Sequence, residues 1–159
     1  MKTKIDSILF CNVNSDSQYP SKVAEHFGAQ CDVVVRGERW IHESFSKYKE
    51  HNHSVVIIID DGNDWLSLAY AKTWFESRGI EWFFLLSELK ELNHYCEDID
   101  FNRCVAVTCP IDDHDSLDNL KKLSIPYCCI SNRKEGYEHQ LDQKRIESVI
   151  ISHIEQHLS

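Results

Sequence analysis

The sequence predicts an α/β protein, a three-layer doubly wound sandwich built around a mainly parallel sheet of five to six strands. Short apolar segments rich in β-branched and aromatic residues alternate with segments of helical period along all 159 residues. Each intervening segment is long enough to cross between parallel strands, and such crossovers are right-handed. The apolar run at 55–59 lacks any alternation, which is typical of a strand that is buried on both faces.

Six segments are predicted as strands because they are short, apolar and rich in residues that favour strands. In order, they span residues 7–12, 31–35, 55–60, 80–86, 103–108 and 125–130. Pro126 stands at the start of the last one, which favours an edge position or a strand start.

Helices are predicted in the segments that follow the strands. In order, they span 19–27, 38–51, 65–77, 88–95, a segment marked by Leu117, Leu120 and Leu123, and 141–158. Pro20 suits the first turn of the first helix, and Gly28 suits its end. We expect the third helix to bury one stripe on the sheet, made of Leu66, Ala69, Tyr70, Thr73 and Trp74.

Composition narrows the class of protein. A chain of this length is normally one domain, so we expect residues 1–159 to form a single α/β domain. The net charge of −9 disfavours nucleic acid as a partner. No apolar run approaches the roughly 20 residues of a membrane span, and we expect no secretory signal. Seven cysteines without a CxxC pair favour reduced thiols in the cytoplasm and not a zinc site.

In doubly wound folds, ligands bind beyond the carboxyl ends of the strands, so the residues there are the candidate site. The candidates for ligand binding are Asn12 and Asn14 after strand one, Asp60 and Asp61 after strand three, Ser87 after strand four, and Cys109 after strand five. A structural alternative stays open for the two aspartates, since one of them can cap the following turn. We expect the acidic segment at 112–115 to cap a helix.

On these positions, residues 5–123 resemble a response-regulator receiver domain. That family carries a phosphorylated aspartate after strand three, a Ser or Thr after strand four and a Lys-Pro pair after strand five. Asp60, Ser87 and Pro110 occupy the matching positions. The resemblance implies a flavodoxin-like arrangement of the sheet, to which residues 124–159 add a further strand and a C-terminal helix.

Two departures from the receiver pattern bear on function. The acidic pair after strand one, which holds the metal, is replaced by asparagines such as Asn12 and Asn14, and Cys109 replaces the lysine. Asp16 is a candidate to supply one Mg²⁺ ligand beside Asp60, and no other cofactor is expected. We therefore expect a non-enzymatic signalling or protein-interaction module that has lost phosphotransfer, with a protein partner and an open possibility of a homodimer.

A weaker resemblance, over the first 27 residues, is to the low-molecular-weight tyrosine phosphatases, which place a catalytic cysteine after strand one. It implies a small phosphatase or hydrolase in which Cys11 is the nucleophile, and Asp60 is the other candidate for that role. A thiolate needs positive surroundings, and the first arginine after Cys11 is Arg36. A small-molecule binding domain of the same fold is the third alternative.

Overall fold

Six strands and five helices alternate along the chain in the computed structural model, which describes residues 4–60, 65–86, 101–131 and 140–158. The strands are β1 (Ser7–Val13), β2 (Gln30–Val35), β3 (Val55–Asp60), β4 (Trp82–Leu86), β5 (Cys104–Pro110) and β6 (Tyr127–Ile130). The helices are α1 (Tyr19–Phe27), α2 (Trp40–His51), α3 (Trp65–Ser77), α4 (His114–Lys122) and α5 (Gln140–Leu158). The 3₁₀ turn Phe101–Arg103 leads into β5.

The strands form one sheet in the order β2-β1-β3-β4-β5-β6, and every neighbouring pair is parallel. The chain runs outward from β1 to β2 and then returns past β1 to β3, as in the flavodoxin-like order. Buried side chains of α1 and α5 belong to the core on one face of the sheet, and those of α2, α3 and α4 to the core on the other. The predicted fold class, a three-layer α/β sandwich, is confirmed.

Most element boundaries agree with the sequence prediction to within one or two residues. Helices α1 and α3 have the predicted bounds, whereas α2 begins at Trp40 and not at 38. Strand β5 continues to Pro110, two residues beyond its predicted end. The helix predicted at 88–95 lies outside the described residues.

Each helix contributes a stripe of apolar side chains to one of the two cores. In α5, Ile146, Ile150 and Ile154 are fully buried at helical spacing, as predicted. This helix is 19 residues long but polar on its outer side. Among the helices that the structure describes, none combines the length and the apolar character that crossing a membrane requires.

The predicted inner face of α3 is wrong. The structure buries Leu68, Ala71 and Phe75 on the sheet, while Leu66 and Tyr70 are 64% and 58% exposed. The helix carries apolar residues on both sides, so its periodicity does not select a face. Packing decides instead, because Phe75 reaches the core while the Trp74 ring stacks on Phe45 of α2 with ring centroids 4.1 Å apart.

Candidate functional site

The carboxyl ends of β1 and β3 lie side by side at the point where the strand order reverses. Cys11 of β1 is paired with Ile58 of β3, so Asn12 and Asp60 end neighbouring strands. Both side chains are buried, each with 4% of its surface exposed. Crevices at such a reversal are the usual ligand sites of this architecture. The structure therefore brings two of the predicted site residues to the expected place.

Asn12 has a structural task at this position. Its φ of 65° lies in the left-handed region, and the pairing of β1 with β2 shifts register between Cys11 and Val13. Asparagine tolerates that conformation better than most residues, which explains its place at this bulge. The side-chain Nδ2 donates a hydrogen bond to the Ile59 carbonyl oxygen at 2.8 Å. The Asn12 amide thus joins β1 to β3, and its nitrogen has a protein acceptor.

Asp60 is the last residue of β3, where it is paired with Leu86 of β4. By the alternation along the strand, its side chain is on the same side as Ile58, the face that α2, α3 and α4 cover. Two further predicted site residues, Asp61 and Ser87, directly follow these strand ends and lie outside the described residues.

Asn14 and Asp16 belong to the turn between β1 and α1. The Asn14 side-chain oxygen accepts from the Asp16 backbone N–H at 3.1 Å, and its carbonyl oxygen accepts from the Ser17 N–H at 3.0 Å. This is the local hydrogen bonding by which asparagine stabilises turns. Asp16 itself is exposed to solvent, whereas Asp60 is buried. Asn14 therefore shapes the turn, and Asp16 lies at the protein surface.

Cys109 lies near the end of β5, two strands away from Asp60, a lateral separation of about 10 Å. Its thiol is buried and donates weak hydrogen bonds to the carbonyl oxygens of Pro110 at 3.6 Å and of Asp113 at 3.9 Å. A short neutral thiol with these contacts cannot supply the ammonium group of a receiver lysine. Asp113 caps α4 by accepting from the Ser116 N–H at 3.2 Å, which confirms the predicted capping turn.

Cys11 lies inside the core and not in the crevice. Its side chain is fully buried in the cluster under α2, together with Trp40 and Phe45. Burial raises the pKa of the Cys11 thiol to about 12, and a hydrogen bond with Ser44 lowers the pKa only in part. A nucleophilic cysteine needs the opposite surroundings, accessible and positively charged. The thiol stays protonated at neutral pH and has no access to a substrate.

The amino-terminal N–H groups of α1 are also occupied. The side-chain oxygen Oε1 of Gln143, on α5, accepts from the backbone N–H groups of Gln18 at 2.9 Å and Tyr19 at 3.1 Å. In a phosphate-binding loop these helix N–H groups would face the anion. Here Gln143 takes that position.

A small cavity lies on the face of the sheet that α1 and α5 cover, the opposite face from Asp60. Asn14, Ser17, Tyr19, Arg36, Ile59, Leu85 and Ile146 line a cavity of about 10 Å³. That volume is about what one water molecule needs. Among the described residues, no group of three or more His, Cys, Asp or Glu side chains is arranged to hold a metal ion.

Family models, curated proteins and solved structures were compared with the chain, and none matches. The function must therefore be argued from the chemistry of the site itself.

Sequence reasoning missed two contributors to the site, Arg36 and Gln143. Arg36 follows β2, donates its backbone N–H to the Val13 carbonyl oxygen at 2.8 Å and lines the small cavity. The rule that sites gather at strand ends would have found it, had the end of β2 been included. Gln143 carries no such signal, because its partners are more than 120 residues away in the sequence.

Proposed function

We propose that the protein is a non-enzymatic, cytoplasmic signalling or protein-interaction module with receiver-like architecture that has lost phosphotransfer. The observation that carries the proposal is the hydrogen bond from Asn12 to the Ile59 carbonyl oxygen, directly beside Asp60. A receiver needs carboxylates there to hold Mg²⁺, and the cation is what neutralises a phosphoryl group approaching an aspartate. The neutral amide of Asn12, whose Nδ2 donates a hydrogen bond to the backbone, is a poor substitute for a metal-binding carboxylate.

A second feature supports the loss of phosphotransfer. The thiol of Cys109 contacts backbone carbonyl oxygens, so the position of the receiver lysine offers no positive charge. The described cysteines are all free, which suits a reducing cytoplasm.

The alternative of a thiol phosphatase finds no support at Cys11. Its burial and raised pKa oppose the formation of a thiolate, and Gln143 occupies the helix N–H groups that would bind phosphate. A hydrolase that uses Asp60 as nucleophile is the other enzymatic alternative, and we propose no such activity.

The proposal is tested by adding Mg²⁺ with acetyl phosphate, or with beryllofluoride as a phosphoryl mimic. We expect an unchanged intact mass and unchanged amide NMR shifts for wild type and for Asp60→Asn. The Asn12→Asp variant is the matched comparison, because it restores one carboxylate at the metal-binding position. A phosphoryl adduct on wild type that disappears in Asp60→Asn would contradict the proposal and identify an active receiver.

A further inference from the structure

The two edges of the sheet differ in how well they are protected. Strand β6 has four residues, and the Nη1 of Arg145 donates to the Cys129 carbonyl oxygen at 3.3 Å. The carbonyl oxygen of Pro126 accepts from Val107 of β5, and that of Ile130 accepts from Ile111, the residue after β5. By alternation, Tyr127 and Cys129 therefore present their backbone groups to the outer edge. Arg145 therefore covers part of that edge, which is a common way to prevent strand pairing.

Strand β2, at the other edge, is longer, with six residues. The backbone N–H of Gln30 donates to the carbonyl oxygen of Asp6, the residue before β1, at 2.9 Å, and that of Arg36 donates to Val13 of β1 at 2.8 Å. The alternation of a strand then directs the backbone groups of Cys31, Val33 and Val35 outward. Within the described part of the chain, no side chain forms a hydrogen bond with these outward groups. Val33 and Val35 are 40% and 48% exposed, although valine side chains are usually buried.

We propose that β2 is the interface of a symmetric homodimer, in which two copies pair antiparallel and the two sheets become continuous. The proposal goes beyond the proposed function and does not depend on the chemistry of Asp60. Its occupant is a second copy of this chain, because the outward residues form a self-complementary series centred on Val33. With the two-fold axis at Val33, each Cys31 lies opposite Val35 of the second copy.

This register joins apolar side chains with one another. In an antiparallel pair, residues directly opposite point to the same face, so the Val33 side chains meet and the Cys31–Val35 pairs lie on either side. The strand carries a single charge, Asp32, and its carboxylate is 2.7 Å from the imidazole of His53 in the same copy. Each Asp32 lies opposite Val34 and not opposite the other Asp32. The pairing therefore leaves no like charges directly opposed.

The ends of β2 are also complementary in charge. Arg36, which is exposed, directly follows the strand. The other end of β2 follows the carboxyl end of α1, where the helix dipole is negative, whereas the nearby carboxylate of Asp6 is already 3.6 Å from the Lys4 ammonium of the same copy. Antiparallel pairing brings the arginine of each copy towards the carboxyl end of α1 in the other. Because each copy has a net charge of −9, we expect added salt to strengthen the association.

The first experiment measures molecular mass by sedimentation or light scattering over a concentration series that extends above about 10 µM, the range of weak interfaces. We expect wild type to reach twice the mass of one chain and Val33→Lys to remain a monomer, since two ammonium groups would meet at the axis. Leu123→Lys is the matched control, because it replaces an exposed leucine away from β2 and should leave the dimer intact. Wild type that stays monomeric, or a dimer that Val33→Lys leaves unchanged, would overturn the proposal.

The second experiment tests the register and does not require a charged variant to fold. Hydrogen-bonded antiparallel pairs have Cα atoms about 5.5 Å apart, a distance that a disulfide can span. Mild oxidation with copper phenanthroline should link Val35→Cys to the native Cys31 of the second copy, and combining it with Cys31→Ser should prevent the link. Val33→Cys in the Cys31→Ser background should link across the axis. Absence of both links under conditions where wild type is a dimer would exclude this register.

Discussion

The side-chain oxygen of Gln143 accepts a hydrogen bond from the backbone N–H of Tyr19 at 3.1 Å, across 124 positions of the sequence. The same oxygen accepts from the N–H of Gln18, and Gln18 makes no cap of its own with its side chain. Helix α1 is therefore capped by a residue of α5. The contact links α1 and α5 on the face of the sheet opposite to Asp60.

Replacing Gln143 with alanine should destabilise the protein by about 1–2 kcal/mol, because two N–H groups at the start of α1 lose their acceptor. Gln143→Glu should cost less, since a carboxylate still accepts and is favourable at a helix amino terminus. Urea unfolding measures both effects. Gln156→Ala, an exposed position on the same helix, is the control. An equal effect at both positions would show that the cap contributes nothing.

Asn12→Ala should cost about 2–4 kcal/mol of unfolding free energy. It removes the hydrogen bond to the Ile59 carbonyl oxygen and places an alanine at a φ of 65°. Asn12→Gly should be less harmful, by about 1 kcal/mol, because glycine adopts this conformation without strain. Asn52, an exposed asparagine with a φ of 49°, is the matched control for the backbone effect alone. If alanine lowers the free energy of unfolding equally at both positions, the hydrogen bond does not contribute significantly to stability.

The free energy of unfolding should decrease as the pH is lowered, because of His153. Burial, with help from the neighbouring His157, lowers the pKa of the His153 imidazole from 6.5 to about 4. The unfolded chain therefore binds a proton on this histidine at a higher pH than the folded protein does. The stability that depends on a neutral His153 is fully present above about pH 6.5 and is lost as the pH falls towards 4. Between pH 7 and pH 5 the free energy of unfolding should decrease by about 2 kcal/mol.

The measurement for His153 compares unfolding free energies of wild type and His153→Leu at these two pH values. Wild type should lose about 2 kcal/mol more than the variant, since leucine carries no proton. His42→Leu, at an exposed position of α2, should keep the wild-type dependence. Equal slopes for wild type and His153→Leu would show that the folded protein does not disfavour the imidazolium.

The buried thiols should resist alkylation in the folded protein. At about pH 8, iodoacetamide should modify Cys31 and Cys129, which are partly exposed, before Cys11 and Cys104, whose pKa values burial raises to about 12. Mass spectrometry of peptides after timed quenching measures each site. Denatured protein, in which all thiols react, is the control. Rapid selective labelling of Cys11 together with phosphatase activity that Cys11→Ser abolishes would restore the enzyme hypothesis.

Local pattern was sufficient for the types and order of the described elements. The uninterrupted apolar run of β3 identified a strand buried on both faces, and Pro20 and Gly28 marked the two ends of α1 correctly. The rule that ligands of doubly wound folds bind beyond the carboxyl ends of the strands led to Asn12 and Asp60, which lie at the ends of neighbouring strands. These predictions succeeded because the hydrophobic period, the capping residues and the crossover lengths are all features of residues close together in the sequence.

Tertiary packing decided the features that distant residues control. Apolar residues occur on both sides of α3, so the sequence did not determine which side faces the sheet. Contacts with α2 and the sheet bury Leu68 and Phe75 and leave Leu66 and Tyr70 exposed. The Asn12 amide nitrogen is occupied because it donates a hydrogen bond to the Ile59 carbonyl oxygen of another strand. Hydrogen bonds and core contacts of this kind form between residues that only the folded chain brings together, so no local pattern encodes them. The sequence was therefore enough to establish which segments are helices and strands, whereas the availability of the site residues was decided by the fold.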